Sequence, residues 1–201
     1  MLHVIDHANA PDHRLLLETM FADRKLLFVD LFGWDIPVVD GTYEIDQFDG
    51  SHAIYLVVED QGEHEASLRL LPTDRPHMLD TLFSHLCPFG MPKGRSIWES
   101  TRLCLPQRHG AGRRRELRNI LISAMVDVAL ERGIVSYTGV LPAAFRTEVL
   151  SLGWRGEPLG PVVPMQGGAV GAFRVHVDAD TPERLGWSGT YVHTVAEEVP
   201  A

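Results

Sequence analysis

Apolar positions along this chain fall into runs of two kinds, some at helical spacing and some compact and β-like. Leu15, Leu16, Leu17, Met20, Phe21, Leu27, Phe28 and Leu31 recur at roughly helical spacing, which predicts a helical segment over residues 11–33 closed by Gly33 and Pro37. Residues 35–50, rich in Asp, Gly and Pro, read as a loop. The β-branched run 53–59 and its neighbour 65–71, separated by Asp60-Gln61-Gly62, read as antiparallel strands. A short amphipathic helix is expected over 78–86 and a third strand over 96–105. The clearest helix spans 113–132, with Leu117, Ile120, Leu121, Ala124, Met125, Val128 and Ala129 on one stripe and Gly133 at its end. Then come a strand over 134–140, a helix over 143–152 and a late strand over 170–177. Residues 178–201 are polar and weakly patterned and read as an extended tail, and the whole of 1–201 reads as one domain.

Composition narrows the class. Hydrophobic residues make up 45% and charged residues 22% of 201 positions, ordinary values for a globular protein. The start lacks a basic segment followed by a long apolar run, so no signal peptide is expected, and no stretch approaches the ~20 apolar residues that span a bilayer. A cytoplasmic protein is expected. Cys87 and Cys104 are too few for a disulfide framework and lack metal-ligand spacing, and the ten His are scattered, so no metal site is expected. The net charge is −9, yet the stretch from Arg95 to Arg118 holds seven Arg against two Glu, a local +5 that leaves −14 elsewhere. An acidic chain with one basic island is a poor nucleic-acid binder. The island suits a local anionic partner, such as a phosphate-bearing cofactor or an acidic carrier protein.

Charged residues inside apolar segments need explaining, because an unpaired buried charge is very costly. Arg69 lies within Ala66-Ser67-Leu68-Arg69-Leu70-Leu71, and Glu99 and Arg102 lie within Trp98-Glu99-Ser100-Thr101-Arg102. With Arg24, Phe28, Trp34, and Asp46 and Asp49 in Glu44-Ile45-Asp46-Gln47-Phe48-Asp49, they suggest one ion-paired site drawn from four segments. A second motif, Gln107-Arg108-His109-Gly110-Ala111-Gly112, precedes the best helix. Glycines there would let the backbone approach a phosphate, and free amides at the helix start would point at it. Arg113, Arg114 and Arg115 would strengthen that field while opposing the helix dipole, a cost that a bound anion would offset.

The eight residues Arg24, Phe28, Trp34, Asp46, Asp49, Arg69, Glu99 and Arg102, in this order and spacing, resemble the LuxI-type acyl-homoserine lactone synthases. The resemblance is motif-grade over about 20–105 and looser to about 175. It implies an α/β, GNAT-like acyltransferase fold with a mixed central sheet flanked by helices. It also implies a reaction that joins an acyl group from acyl-carrier protein or acyl-CoA to S-adenosylmethionine, with lactone closure releasing methylthioadenosine. No tightly bound cofactor is implied. By this resemblance Glu99 assists deprotonation of the amine, directly or through water. Asp46 and Asp49 organise the site, and Arg24, Arg69 and Arg102 pair with the acids or hold the substrate carboxylate. Phe28 and Trp34 cover the sulfonium substrate. The acyl chain would meet Met125, Val140, Leu141, Phe145, Leu150 and Trp154. Gln107, Gly110, Gly112 and Arg113–Arg115 would receive the donor's phosphate or carrier. Relatives favouring 3-oxo chains carry a hydroxyl residue near Val140, where Leu141-Pro142 offers none and Thr138 is the nearest. Two other readings remain open: an acetyl-CoA-dependent N-acetyltransferase, and a non-catalytic acyl- or carrier-binding module.

Overall fold

The computed structural model describes residues 1–165 and 168–192. Two units emerge, one of 1–70, 102–124 and 193–201, the other of 71–101 and 125–192. Each is described separately, residues 193–201 lying outside the described ones.

In the first unit, β1 (Leu2–Ile5) pairs antiparallel with β4 (Ile54–Asp60), and β4 pairs antiparallel with β5 (Glu63–Pro72). Between β1 and β4 the chain forms α1 (Arg14–Arg24) and a hairpin of β2 (Val38–Val39) and β3 (Tyr43–Glu44). The expected helix over 11–33 is present with three pitches: a 3₁₀ turn at Ala10–His13, α1, and a π-helical stretch at Lys25–Leu31. Gly33, at φ +68°, ends it, and the Trp34 amide donates to the Phe28 carbonyl. The loop expected over 35–50 contains the β2–β3 hairpin, whose Val38↔Glu44 pairing brings Glu44 into regular structure.

The second unit begins with α2 (Met78–Thr81), shorter than expected and followed by a 3₁₀ turn at Ser84–Leu86. The first residues of β6 (Ile97–Cys104) pair in parallel with β7 (Ser136–Pro142), and β7 pairs antiparallel with β10 (Gly168–His176). Before β7, α3 (Ala111–Arg132) passes from the first unit into the second and ends at Gly133, φ +68°. After β7 come α4 (Ala143–Leu150), β8 (Arg155–Pro158) and β9 (Val163–Met165), both strands antiparallel to β10. Where an extended tail is expected, Thr181–Trp187 is a helix, α5, with Pro182 in its first turn and Leu185 fully buried. The α3 stripe is core: Leu117 and Leu121 in the first unit, Met125, Val128 and Ala129 in the second. No described helix is long and apolar enough to cross a membrane.

Candidate active site

The first unit holds a closed ionic cluster. Arg24, near the end of α1, grips Asp49 with both terminal nitrogens at 2.9 Å, and its Nε donates to Glu44 Oε2 at 2.6 Å. Arg69 on β5 donates to Asp46 at 2.7 and 3.0 Å and lies 2.8 Å from Asp49 Oδ1. Arg102 on β6 donates from Nη2 to Glu44 Oε1 at 3.0 Å and to Asp46 Oδ2 at 2.8 Å. Three guanidiniums thus face three carboxylates, and the group is electrically balanced. It is also buried: Arg24 and Arg69 are 1% exposed and Glu44 is 0%. Bidentate Arg–carboxylate geometry of this kind compensates the cost of removing charge from water.

Local conformation aims these groups. The Asp46 carboxylate accepts from the Phe48 amide, and Asp49 accepts from the Asp46 amide, so the loop folds on its own acids. Arg102 sits at φ +53°, in the left-handed region that costs a non-glycine residue about 1–2 kcal/mol. Its pairs with Glu44 and Asp46 hold it there. Burial alone would raise the pKa of Asp49, but Arg24 and Arg69 bring it well below the usual carboxylate range. The Tyr55 hydroxyl donates to Asp49 Oδ1 at 3.0 Å; burial first, then the Asp49 charge, raises its pKa far above normal.

An aromatic group adjoins the cluster. Phe28 and Trp34 stack with centroids 4.9 Å apart and planes 9° from parallel, Phe32 tilts against both, and the Arg102 guanidinium lies 5.7 Å from the Phe28 centroid. Phe28 is 3% exposed while Trp34 is 38% and Phe32 47% exposed, so the indole and the Phe32 ring are the ones that meet solvent.

Glu99 belongs to the second unit. It is fully buried, and its two oxygens accept the Met78 and Leu79 amides at 2.8 Å each, capping the start of α2. The parallel pairing of β6 with β7 covers Ile97–Glu99 against Ser136–Thr138, so Glu99 occupies its last rung, beside Thr138. Thr138 and Val140 share one face of β7. Val140 packs there with Leu79, Leu86, Cys87 and Ala172. Leu141 lies on the opposite face with Tyr137, whose hydroxyl donates to the Met125 carbonyl at 2.9 Å. Trp154 is buried, its indole N–H donating to the Val149 carbonyl at the end of α4; Phe145 is half-buried on α4. The residues expected along an acyl chain are therefore divided between the two faces of β7.

In the Gln107–Gly112 segment the helix starts at Ala111, two residues earlier than expected, so Gly112 lies in its first turn. No atom would crowd a Cβ at Gly110 or Gly112, which leaves the approach to that turn open. Part of the basic island is already paired: Arg108 with Asp23, and Arg113 with Glu65 and Glu116. Arg115 is exposed and Arg114 half-buried.

Sequence reading missed Glu44 and Tyr55. Glu44, between the apolar Tyr43 and Ile45, carried the same signal that singled out Arg69, a charge inside an apolar run. Tyr55 carried none, because a tyrosine in an apolar strand reads as core.

A family model described as "Autoinducer synthase" matches residues 9–185. An acyl-homoserine-lactone synthase of Ralstonia nicotianae is 33% identical over 177 residues, 84% of this chain and 86% of that protein. Among solved structures, a CoA-dependent acyl-homoserine lactone synthase with SAM and isopentyl-CoA has a TM-score of 0.89 at 24% identity, covering 100% of this chain and 94% of its own. A Lactobacillus plantarum protein described as a candidate N-acetyltransferase has a TM-score of 0.57 at 16% identity, covering 88% and 99%. Both likenesses are of fold, and they make the fold that of the GNAT-like acyltransferases.

Proposed function

The chain belongs to the autoinducer synthase family, and from that premise we propose that it joins an acyl group from acyl-CoA or acyl-carrier protein to S-adenosylmethionine and closes the lactone. The methionine amine attacks the thioester carbonyl. A nitrogen–carbon bond forms, the carbon–sulfur bond breaks and the donor thiol leaves. Glu99 takes the amine proton, directly or through one water. The methionine carboxylate then attacks its own γ-carbon, and the electron pair of the breaking bond neutralises the sulfonium as methylthioadenosine. The product is an acyl-homoserine lactone, a quorum-sensing signal. Both substrates are cytoplasmic metabolites, which assigns the protein to the cytoplasm.

The observation that carries this reading is Glu99: a fully buried carboxylate held by two amides on the last rung before β6 and β7 part. A fixed orientation within reach of a substrate amine is what a general base requires. In the first unit, the balanced cluster of Arg24, Arg69, Arg102, Glu44, Asp46 and Asp49 supports the reading as the ionic set that the family resemblance implies, and Trp34 offers an aromatic face to a cationic sulfonium. Arg114 and Arg115, near the open first turn of α3, suit the donor's phosphates or an acidic carrier.

The test incubates purified protein with S-adenosylmethionine and an acyl-CoA or acyl-carrier protein and follows methylthioadenosine and lactone by mass spectrometry. An acetyl-CoA-dependent N-acetyltransferase would release no methylthioadenosine, and a binding module would turn nothing over. Glu99→Gln keeps the side-chain volume and should lower turnover by at least ~10². A loss under tenfold at optimal pH rejects the general-base role.

A further inference from the structure

The first unit holds a second polar group, separate from the three-arginine cluster. Asp23 is the neighbour of Arg24 on α1 but takes different partners. Its Oδ2 lies 2.6 Å from Nδ1 of His64 on β5, and its Oδ1 accepts from Arg108 Nη1 at 2.7 Å. Arg108 Nη2 donates to the His64 carbonyl, so one guanidinium spans α1 and β5. Glu65 meets the same stretch of chain: its Oε2 lies 3.4 Å from His109 Nε2 and 3.6 Å from Arg113 Nη2. The strand is irregular here. Val58 faces Ala66 but Glu59 faces His64, which makes Glu65 the extra residue of a β-bulge. Bulges re-aim side chains, and this one presents His64 and Glu65 to the segment between β6 and α3.

Residues 105–110 belong to no helix or strand, and Gly110 leads into the first turn of α3. Such a segment holds one conformation only if outside contacts fix it. Arg108 supplies them at its centre. His64 is fully buried and burial lowers its pKa, so the ring is neutral and its Nδ1 hydrogen donates to Asp23. His64 Nε2 has no hydrogen-bond partner among the described residues. Burial would raise the pKa of Asp23, but the bonds from His64 and Arg108 bring it below the usual carboxylate range. A buried charge pair adds little stability over an apolar pair of similar volume. We propose that this one adds position: Asp23 and His64 hold Arg108 as a strut that sets the turn before α3 for the acyl donor, and Arg108 is not itself a phosphate ligand. This rests on the acyltransferase reading above, with the donor at the first turn of α3. Both terminal nitrogens of Arg108 are engaged with α1 and β5, and Asp23 offsets its charge, so a phosphate at Gly110 gains little from it. Arg114 and Arg115 remain for that contact. The strut also references the turn to a fixed point, because the next residue of α1, Arg24, is anchored to Glu44 and Asp49.

The experiment measures kcat and KM for S-adenosylmethionine and for an acyl donor, octanoyl-CoA or octanoyl-acyl-carrier protein, with methylthioadenosine release as readout. Asp23→Asn and Arg108→Gln should each raise the donor KM about three- to tenfold and leave kcat and the KM for S-adenosylmethionine within about twofold. The double variant should be no worse than the more damaging single one, because both changes remove one strut. Arg108→Lys, which keeps a charge for Asp23, should recover most of the donor affinity. A KM does not depend on how much of a variant folds. If Asp23→Asn yields no folded protein, Asp23→Glu takes its place; it keeps the charge, displaces Arg108 by a methylene and should also raise the donor KM. The sign of the Asp23 effect separates the two roles of Arg108. A direct phosphate ligand would be lost in Arg108→Gln yet unharmed or freed by a change at Asp23. An unchanged or lower donor KM in the Asp23 variant therefore overturns the proposal. So do additive effects in the double variant, or equal rises for both substrates. No methylthioadenosine from the wild-type protein with either donor overturns the acyltransferase reading itself, and the strut with it.

Discussion

Arg102 reaches Glu44 with two of its nitrogens, Nε at 3.1 Å and Nη2 at 3.0 Å, although the residues are 58 positions apart. Glu44 is fully buried and also accepts from Arg24. One carboxylate thereby ties α1 to β6 and holds Arg102 at its unfavourable φ. The cluster is balanced only while all three acids are present.

Removing the Glu44 charge should therefore be severe. Glu44→Gln leaves a net positive charge in a dry site, a change that costs about 3–5 kcal/mol. For a chain of this size each kcal/mol lowers Tm by roughly 2–4 °C. Calorimetry should show a fall of about 6–20 °C, with turnover lost in parallel. A fall under ~2 °C would mean that the charge is not compensated as the geometry implies.

Stability should decline on acidification in two stages. His64 is fully buried, its Nδ1 2.6 Å from Asp23; burial lowers its pKa despite Asp23, with Arg108 pushing the same way and Glu65 opposing. A histidine held neutral in the fold contributes stability above its unfolded pKa of about 6.5 and loses it as pH falls toward the folded value. Asp49, depressed by Arg24 and Arg69, contributes above its unfolded pKa of about 3.9 and loses it as pH falls further. Urea midpoints from pH 8 to 3 should show an upper decline beginning near pH 6.5 and a steeper one below about pH 4. His64→Gln should flatten the upper decline and Asp49→Asn the lower. A midpoint constant from pH 8 to 5 would contradict the buried neutral His64.

Trp34 is the exposed partner of the Phe28 stack. If its ring receives the sulfonium, the contact is worth roughly 0.5–2 kcal/mol, so Trp34→Ala should raise the KM for S-adenosylmethionine about 2- to 30-fold. The KM for the acyl donor should change little. A larger rise for the donor would assign the ring to the wrong substrate.

The basic island separates the other way. Arg113 is engaged with Glu65 and Glu116, which leaves Arg114 and Arg115 for a phosphate or an acidic carrier. Changing both to Gln should raise the acyl-donor KM several-fold and leave the KM for S-adenosylmethionine nearly unchanged, in steady-state assays at low and high salt. Equal effects on both substrates would count against a donor site.

The sequence by itself determined that Arg69, Glu99 and Arg102 lie inside apolar runs, and the resemblance to the LuxI-type synthases added Arg24, Asp46 and Asp49 before any coordinates. An arginine amid strand residues must find a carboxylate, and the cost of leaving it alone makes that inference safe. The long α3 stripe and the strands around Arg69 and Glu99 were legible for a similar reason, since apolar periodicity reports which face is buried. Tertiary structure alone decided the partners. It made Glu44 the shared acceptor of two arginines, turned Glu99 toward the amides of α2, and set Val140 and Leu141 on opposite faces of β7. It also joined Asp23 to His64 and Arg108. Periodicity shows that a side chain is buried but not against what, because pairing depends on strand register and on neighbours distant in the chain.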